Sequence, residues 1–387
     1  VNARRQHQLL CYTIEGFNSF GTVFFTTYLY FLLHQKFGFG DMANLAVAAL
    51  LGLVYAVAAW QGGKFGQRHG NITALKLGFG IMAASYLFAA QMQTAWGQIV
   101  AACFMAWGMC FTWPALEALI SEGETPDHVP HAVGIYNITW AWTNAAAIFV
   151  GGAITKKFGY ASIYYLPLAM VAGQIALTFW LGRIKLPVTN RSTEMPPDAR
   201  RPSPARAKNF QQLAWLANPF AYIAINTLIA VLPGVAARFQ LSNTLAGVAL
   251  SLWGFARLAT FIGLWQWPGW HYRFRWLVTA FALLLVSFAT ILVAPSIWLV
   301  LSAQVVFGAA IGLIYYSSLF YAMDASDTKS EHGGIHEAAI GIGNCLGPAA
   351  GAAALWLAPQ NPNIGAWAVT GLLALGFGGL LKLRKRH

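Results

Sequence analysis

Apolar runs of about twenty residues recur roughly every thirty residues along this chain. At 1.5 Å of rise per helical residue, each run is long enough to cross a hydrocarbon core about 30 Å thick. Inside lipid every backbone N–H and C=O must be satisfied by the chain itself, so runs of this kind fold as helices. Charged residues make up 9% of the 387 residues, against about 25% in soluble domains. The chain therefore reads as an all-α integral membrane protein. Its predicted spans are 8–35, 42–63, 73–93, 97–120, 131–155, 161–182, 211–237, 243–267, 276–294, 297–322, 335–358 and 364–382, about twelve in all.

The net charge of +12 would suggest a nucleic-acid partner in a soluble protein, but among membrane spans it reports orientation. One side collects Arg4, Arg5, Lys64, Arg68, Lys76, the 183–208 run, Arg273, Arg275, Lys329 and the basic C-terminal tail. The other side holds Lys36, Lys156, Lys157 and Arg238. The richer side, with both termini, is expected to be cytoplasmic. The chain starts at Val1 rather than Met, so residues upstream are expected, and no cleavable signal is read. Cys11, Cys103, Cys110 and Cys345 all fall in apolar runs, with neither metal-ligand spacing nor the pattern of a disulfide framework.

The longest polar interruption, residues 183–210, is basic, rich in proline and without an apolar face. It predicts a flexible cytoplasmic linker that touches anionic lipid rather than nucleic acid. It separates an N-terminal unit, 1–182, from a C-terminal unit, 211–387, each of six spans. The two units share sequence. "KFGFGDMANLAVAALLGL" (36–53) aligns with "RFQLSNTLAGVALSLWGF" (238–255) at an offset of 238 − 36 = 202. In the fifth span of each unit, Gly134, Asn137, Asn144 and Gly151 align with Gly334, Glu337, Asn344 and Gly351 at an offset of 200. A duplicated six-helix unit predicts a substrate site near mid-membrane between the halves.

The stretch after the second span, "GKFGQRHGN" (63–71), resembles the loop pattern G-x-L-x-D-R-x-G-R of the major facilitator superfamily through Gly63, Phe65, Arg68 and Gly70. Gln67 stands where the family has Asp, and Asn71 where it has a second basic residue, which implies a weaker latch between helices. "GNCLGPAAG" (343–351) is similar to the family's Gly-Pro-rich antiporter motif, which lies there on the fifth helix and here on the eleventh. The resemblance implies two pseudo-symmetric six-helix bundles, alternating access, and cavity-lining first helices in each three-helix repeat.

A charge near the bilayer centre costs about 2.5–3.5 kcal/mol on insertion scales, so it normally faces a cavity or a partner. Arg257 lies about 20 Å along the eighth span. It is expected either to hold a buried pairing that fixes packing, or to contact an anionic substrate group or tune a carboxylate. Its repeat partner Tyr55 offers a polar tip to the same cavity. Glu15, with Asn18 at i+3 on nearly the same face, reads as a proton carrier or as a carboxylate reaching cytoplasmic water. Burial raises the pH at which such a group ionises. Glu337 and Asn344, seven residues apart, share a helical face. An unperturbed histidine titrates near neutrality, which makes His336 a candidate; Glu337 is expected to exchange protons beside it or merely to favour a helix N-terminus. Gly343, Gly347 and Gly351 form a strip for close helix approach, and Pro348 loosens the local ladder. In the fourth span Pro114 predicts a kink, with Glu117 paired to a basic loop residue and Trp113 nearby. Asn137, Trp140, Trp142 and Asn226 are further candidates for the lining.

No phosphate-binding loop, HExxH pair or serine-centred elbow is present. The sequence thus predicts a monomeric transporter of a small organic solute, anionic or amphiphilic, coupled to protons in a bacterial inner membrane. It needs no cofactor and works in contact with membrane lipids. An uncoupled uniporter, a flippase for lipids or amphiphiles, and a membrane-embedded transferase are the alternatives.

Overall fold

The computed structural model describes residues 3–124, 128–186, 203–324 and 329–384, with the side chains of Pro130, Pro204 and 322–336 excepted. Within them the chain is almost wholly helical. The helices are α1 (Ala3–Phe37), α2 (Asp41–His69), α3 (Asn71–Gln91), α4 (Ala95–Ile120), α5 (Val129–Phe158), α6 (Ser162–Leu181) and α7 (Pro204–Arg238). They continue as α8 (Asn243–Leu250), α9 (Leu252–Gln266), α10 (Phe274–Val293), α11 (Ile297–Asp324), α12 (Lys329–Leu357) and α13 (Ile364–Arg384). The predicted eighth span is thus two helices, interrupted at Ser251, whose Oγ bonds back to the Val248 carbonyl at 2.9 Å.

Ten stretches of described helix are long and apolar enough to cross a membrane, α8 and α9 counting together. Helices α1 and α5 are not among them, although they are 35 and 30 residues long. The reason is polarity rather than length, since these two carry Glu15, Asn18, Asn137 and Asn144. Such residues are kept away from lipid by turning them inward.

Connections between helices are short. Thr94 and Ser242 cap α4 and α8 by accepting from the N–H groups of Gly97 and Leu245 at 3.2 and 3.4 Å. The expected loop at 63–71 is a helix instead. Helix α2 runs on to His69, and Gly70, at φ +88, makes the turn into α3. Gln67 and Arg68 lie exposed on that last turn. The predicted linker also shortens, because α7 starts at Pro204 and Ser203 caps it by accepting from Arg206 N–H at 3.4 Å. The rest of that linker, 187–202, lies outside the described residues.

Helices α1–α6 pack among themselves, with α3 on α4 and α6, α2 on α4, and α1 on α5 and α6. Helices α7–α13 do likewise, with α11 on α9 and α10, and α7 on α11, α12 and α13. Two seams join the sets: α2 lies along α12, and α5 along α8 and α9. Small residues allow these approaches. A Cβ on Gly341 would meet the backbone of Ala56, and one on Gly52 the backbone of Asn344 and Cys345. The Gly343–Gly347 strip faces α7 through the carbonyls of Pro219 and Ile223. Gly351 lies against Leu45 of α2 and Val369 of α13. Helix α12 is therefore held between α2 and α7.

Candidate functional site

The polar side chains turned inward from these helices gather beside the two seams. On α1, Glu15 is 1% exposed and accepts from Ser19 Oγ, one turn on, at 2.5 Å. It also accepts from Tyr136 Oη of α5 at 3.1 Å, and Trp113 of α4 is a neighbour. Across the α2–α12 seam, Tyr55 Oη donates to Glu337 Oε2. The two residues are 282 positions apart and each is 4% exposed. Beyond that bond, Asn226 Nδ2 of α7 donates to Asn344 Oδ1 of α12.

Glu117 corrects the sequence reading. It has no basic partner among the described residues, and its acidic neighbours are Glu337 and Glu15. Three carboxyl groups from α1, α4 and α12 therefore share one region. Pro114 sits inside α4 one turn before Glu117, and Pro348 lies buried inside α12, both within continuous helices.

The other seam carries the opposite charge. Arg257 of α9 is 5% exposed, with its guanidinium 4.5 Å from the Trp140 ring and 5.0 Å from the Trp253 ring. Trp140 Nε1 in turn donates to Asn137 Oδ1 at 2.9 Å. Arg257 forms no ion pair among the described residues, and its Nε has no hydrogen-bond partner. Its electrostatic neighbours are Tyr222 of α7 and Tyr315 of α11. Trp140, Phe261 and Tyr315 close a ring cluster beside it, with centroids 5.1–5.8 Å apart.

Other candidates fall elsewhere. Asn18 spends its amide on Thr112 Oγ1 at 3.3 Å, a bond from α1 to α4, and leaves its Oδ1 unpaired. Trp142 is 52% exposed and turns away from the centre, edge-on to Phe255. Gln67 and Arg68, on the exposed last turn of α2, are not among these inward residues. The side chain of His336 lies outside the described residues. Sequence reading passed over Tyr136, Tyr222, Trp253 and Tyr315. The repeat itself pointed to one of them, since Trp113 and Tyr315 are related by the same offset, 315 − 113 = 202.

The arrangement can hold protons on acids at one seam and an anionic group on a cation at the other, with tyrosines between. Membrane transport proteins of the same fold share its helical frame. The chain superposes on the human organic anion transporter MFSD10 (TETRAN) with a TM-score of 0.69 and 14% identity, over 97% of this chain and 99% of that one. It matches a bacterial homologue of the human drug peptide transporters PepT1 and PepT2 with a TM-score of 0.70 and 16% identity, covering 99% of both chains. With the nucleoside transporter NupG the TM-score is 0.71 and the identity 14%, over 99% of this chain and 100% of that one. No curated protein matches by sequence. The sequence model of the Major Facilitator Superfamily matches residues 9–352. With that match over most of its length and the helical frame described above, this chain belongs to the Major Facilitator Superfamily.

Proposed function

We propose that this protein is a secondary active transporter, not an enzyme, moving a small organic solute by alternating access with proton coupling. The observation that carries the reading is the Tyr55–Glu337 bond. It joins the two packed sets of helices, and its acceptor is titratable, so the contact that closes the centre can respond to a proton. Glu15 and Glu117 stand close enough to interact with the same carboxyl. Ionised carboxylates without a cation are costly in a dry bundle, so closure favours carboxyls that carry protons. Parting α2 from α12 admits water, which removes that cost and lets a proton leave. One of the structurally similar proteins is described as a proton dependent oligopeptide transporter, which supports coupling as the default for this frame.

Purified protein screened by thermal shift supplies a solute for transport in proteoliposomes. Glu337→Gln should keep counterflow exchange of that solute and lose its accumulation under a proton gradient. Glu15→Gln is the competing variant, since either carboxyl can be the carrier. Accumulation surviving in both variants removes proton coupling by these residues. A wild type that neither accumulates nor exchanges the solute removes the transporter reading.

We infer from the distribution of positive residues that both ends of the chain and the 183–210 linker lie on the cytoplasmic side of a bacterial inner membrane. A protease site inserted in that segment should be cut from the cytoplasmic side alone. Cleavage from the outside reverses the orientation.

A further inference from the structure

Two opposite electrostatic needs are left open in the centre. Arg257 is buried, and both tryptophans lie against its guanidinium. Ring contacts of this kind engage a guanidinium through its faces and leave its N–H edge to find acceptors. Among the described residues no acceptor is provided: Nε is unpaired, and no carboxylate forms an ion pair with it. A buried guanidinium in this condition is costly unless an anion completes it. The acids do not fill that role, because their bonds run elsewhere, Glu337 to Tyr55 and Glu15 to Ser19 and Tyr136.

The acidic side has the complementary deficit. Glu15, Glu117 and Glu337 interact with one another, and no lysine, arginine or histidine pairs with them among the described residues. A proton can quiet one or two of these groups, yet three in one region exceed what a single coupling step uses. Glu117 also has no hydrogen-bond donor among the described residues. Glu117, Trp113 and Tyr222 keep part of their surface accessible although their neighbours are the buried residues of the centre. Tyr222 and Tyr315 interact with Arg257 on one side and with Glu117 and Glu337 on the other. Ring contacts run between the poles: Trp140, against Arg257, meets Tyr315 at 5.1 Å, and Tyr315 meets Tyr222 at 6.3 Å.

We infer that the solute is a zwitterion, its anionic group received by Arg257 and its cationic nitrogen by Glu117. This deepens the proposed transporter function and rests on the central site being the substrate site. A simple anion would leave the acids uncompensated and be repelled by them. A simple cation would leave Arg257 as it stands. A zwitterion meets both needs and carries little net charge through the bundle. The phenol and indole walls suit a short apolar body between its two ends.

The test uses purified full-length protein and thermal stabilisation as the readout. The probes are ω-amino acids from glycine to ε-aminohexanoate, phenylalanine, and the amine and the carboxylate matched to each skeleton. Zwitterions of one preferred length should stabilise the protein, with the matched amines and carboxylates roughly tenfold weaker or worse. Glu117→Gln should shift the preference towards the carboxylates, and Arg257→Gln towards the amines. A residue that serves packing alone would weaken every probe equally, which refutes the assignment of that pole. Should Arg257→Gln fail to fold, Arg257→Lys keeps the charge without the fork and should retain the zwitterion preference at lower affinity. Best binding by carboxylates alone or amines alone, abolished by the central variants, overturns the zwitterion while leaving the substrate site in place. Protection by no probe, or protection untouched by any central variant, overturns the site and the zwitterion together.

Discussion

The α2–α12 seam and the α5–α8/α9 seam occupy equivalent places in the repeat, yet they are built with opposite chemistry. Tyr55 corresponds to Arg257 at 257 − 55 = 202, and Asn137 to Glu337 at 337 − 137 = 200. On the first seam the phenol bonds the carboxyl directly. On the second, Trp140 stands between the pair, with its ring against Arg257 and its N–H on Asn137. The backbones keep the symmetry more closely than the side chains do. Gly52 and Gly254 are offset partners, and they face Asn344–Cys345 and Ala145 respectively, again at matching positions. Duplication thus preserved where helices touch, while substitution made one seam acidic and the other cationic and aromatic. A polar centre with two unlike walls follows from that divergence.

The largest expected difference between the seams comes from alanine at the paired glycines. In Gly52→Ala the new Cβ meets the backbone of Asn344 and Cys345, which cannot move aside without parting α2 from α12. Overpacking of this kind costs about 1–3 kcal/mol, more than the roughly 1 kcal/mol gained by replacing a helical glycine. In Gly254→Ala the Cβ stands 3.0 Å from the Ala145 Cβ and 3.2 Å from its Cα. A shift of a few tenths of an ångström relieves that, so the helix gain offsets the strain and stability stays near wild type. Melting temperatures in detergent decide this. Equal losses in both variants would mean that the seams are equally tight, and the comparison fails.

A smaller difference is expected from the hydrogen bonds. Tyr55→Phe removes the donor from Glu337 and leaves a buried carboxyl without it, at about 1–3 kcal/mol. Trp140→Phe removes the bond to Asn137 but leaves a ring beneath Arg257, and should cost about 1 kcal/mol. The same melting measurements rank the two. A larger loss for Trp140→Phe would make the aromatic seam the stronger of the two.

Length and polarity along the chain were enough to place the spans, because a helix in lipid satisfies its backbone locally and needs no distant partner. The exceptions are instructive. Ser251 interrupts a span that the apolar pattern reads as continuous, because an apolar run does not record where a helix breaks. The stretch at 63–71 resembles the family's loop pattern. It is helical to His69, since exposed polar residues are as compatible with a helix end as with a loop.

The candidate site was legible as a set of residue types and illegible as a set of partners. Arg257, Glu15, Glu337, Asn226 and Asn344 stood out because polar groups in apolar runs are costly and rarely idle. The pairing of Glu117 with acids rather than a base could not be read in the same way, because it depends on how α1, α4 and α12 are rotated towards one another. The exposure of Trp142 likewise depends on which face of α5 meets α8 and α9.

The sequence by itself determined the helices, the duplication and the inventory of charges, all properties of short stretches or of fixed offsets. The tertiary structure alone decided that Glu337 bonds Tyr55 from 282 residues away, and that Arg257 lies against two indoles instead of a carboxylate. Such contacts are set by the crossing and rotation of packed helices. In an apolar bundle those depend on small residues and close-packed surfaces drawn from both halves of the chain.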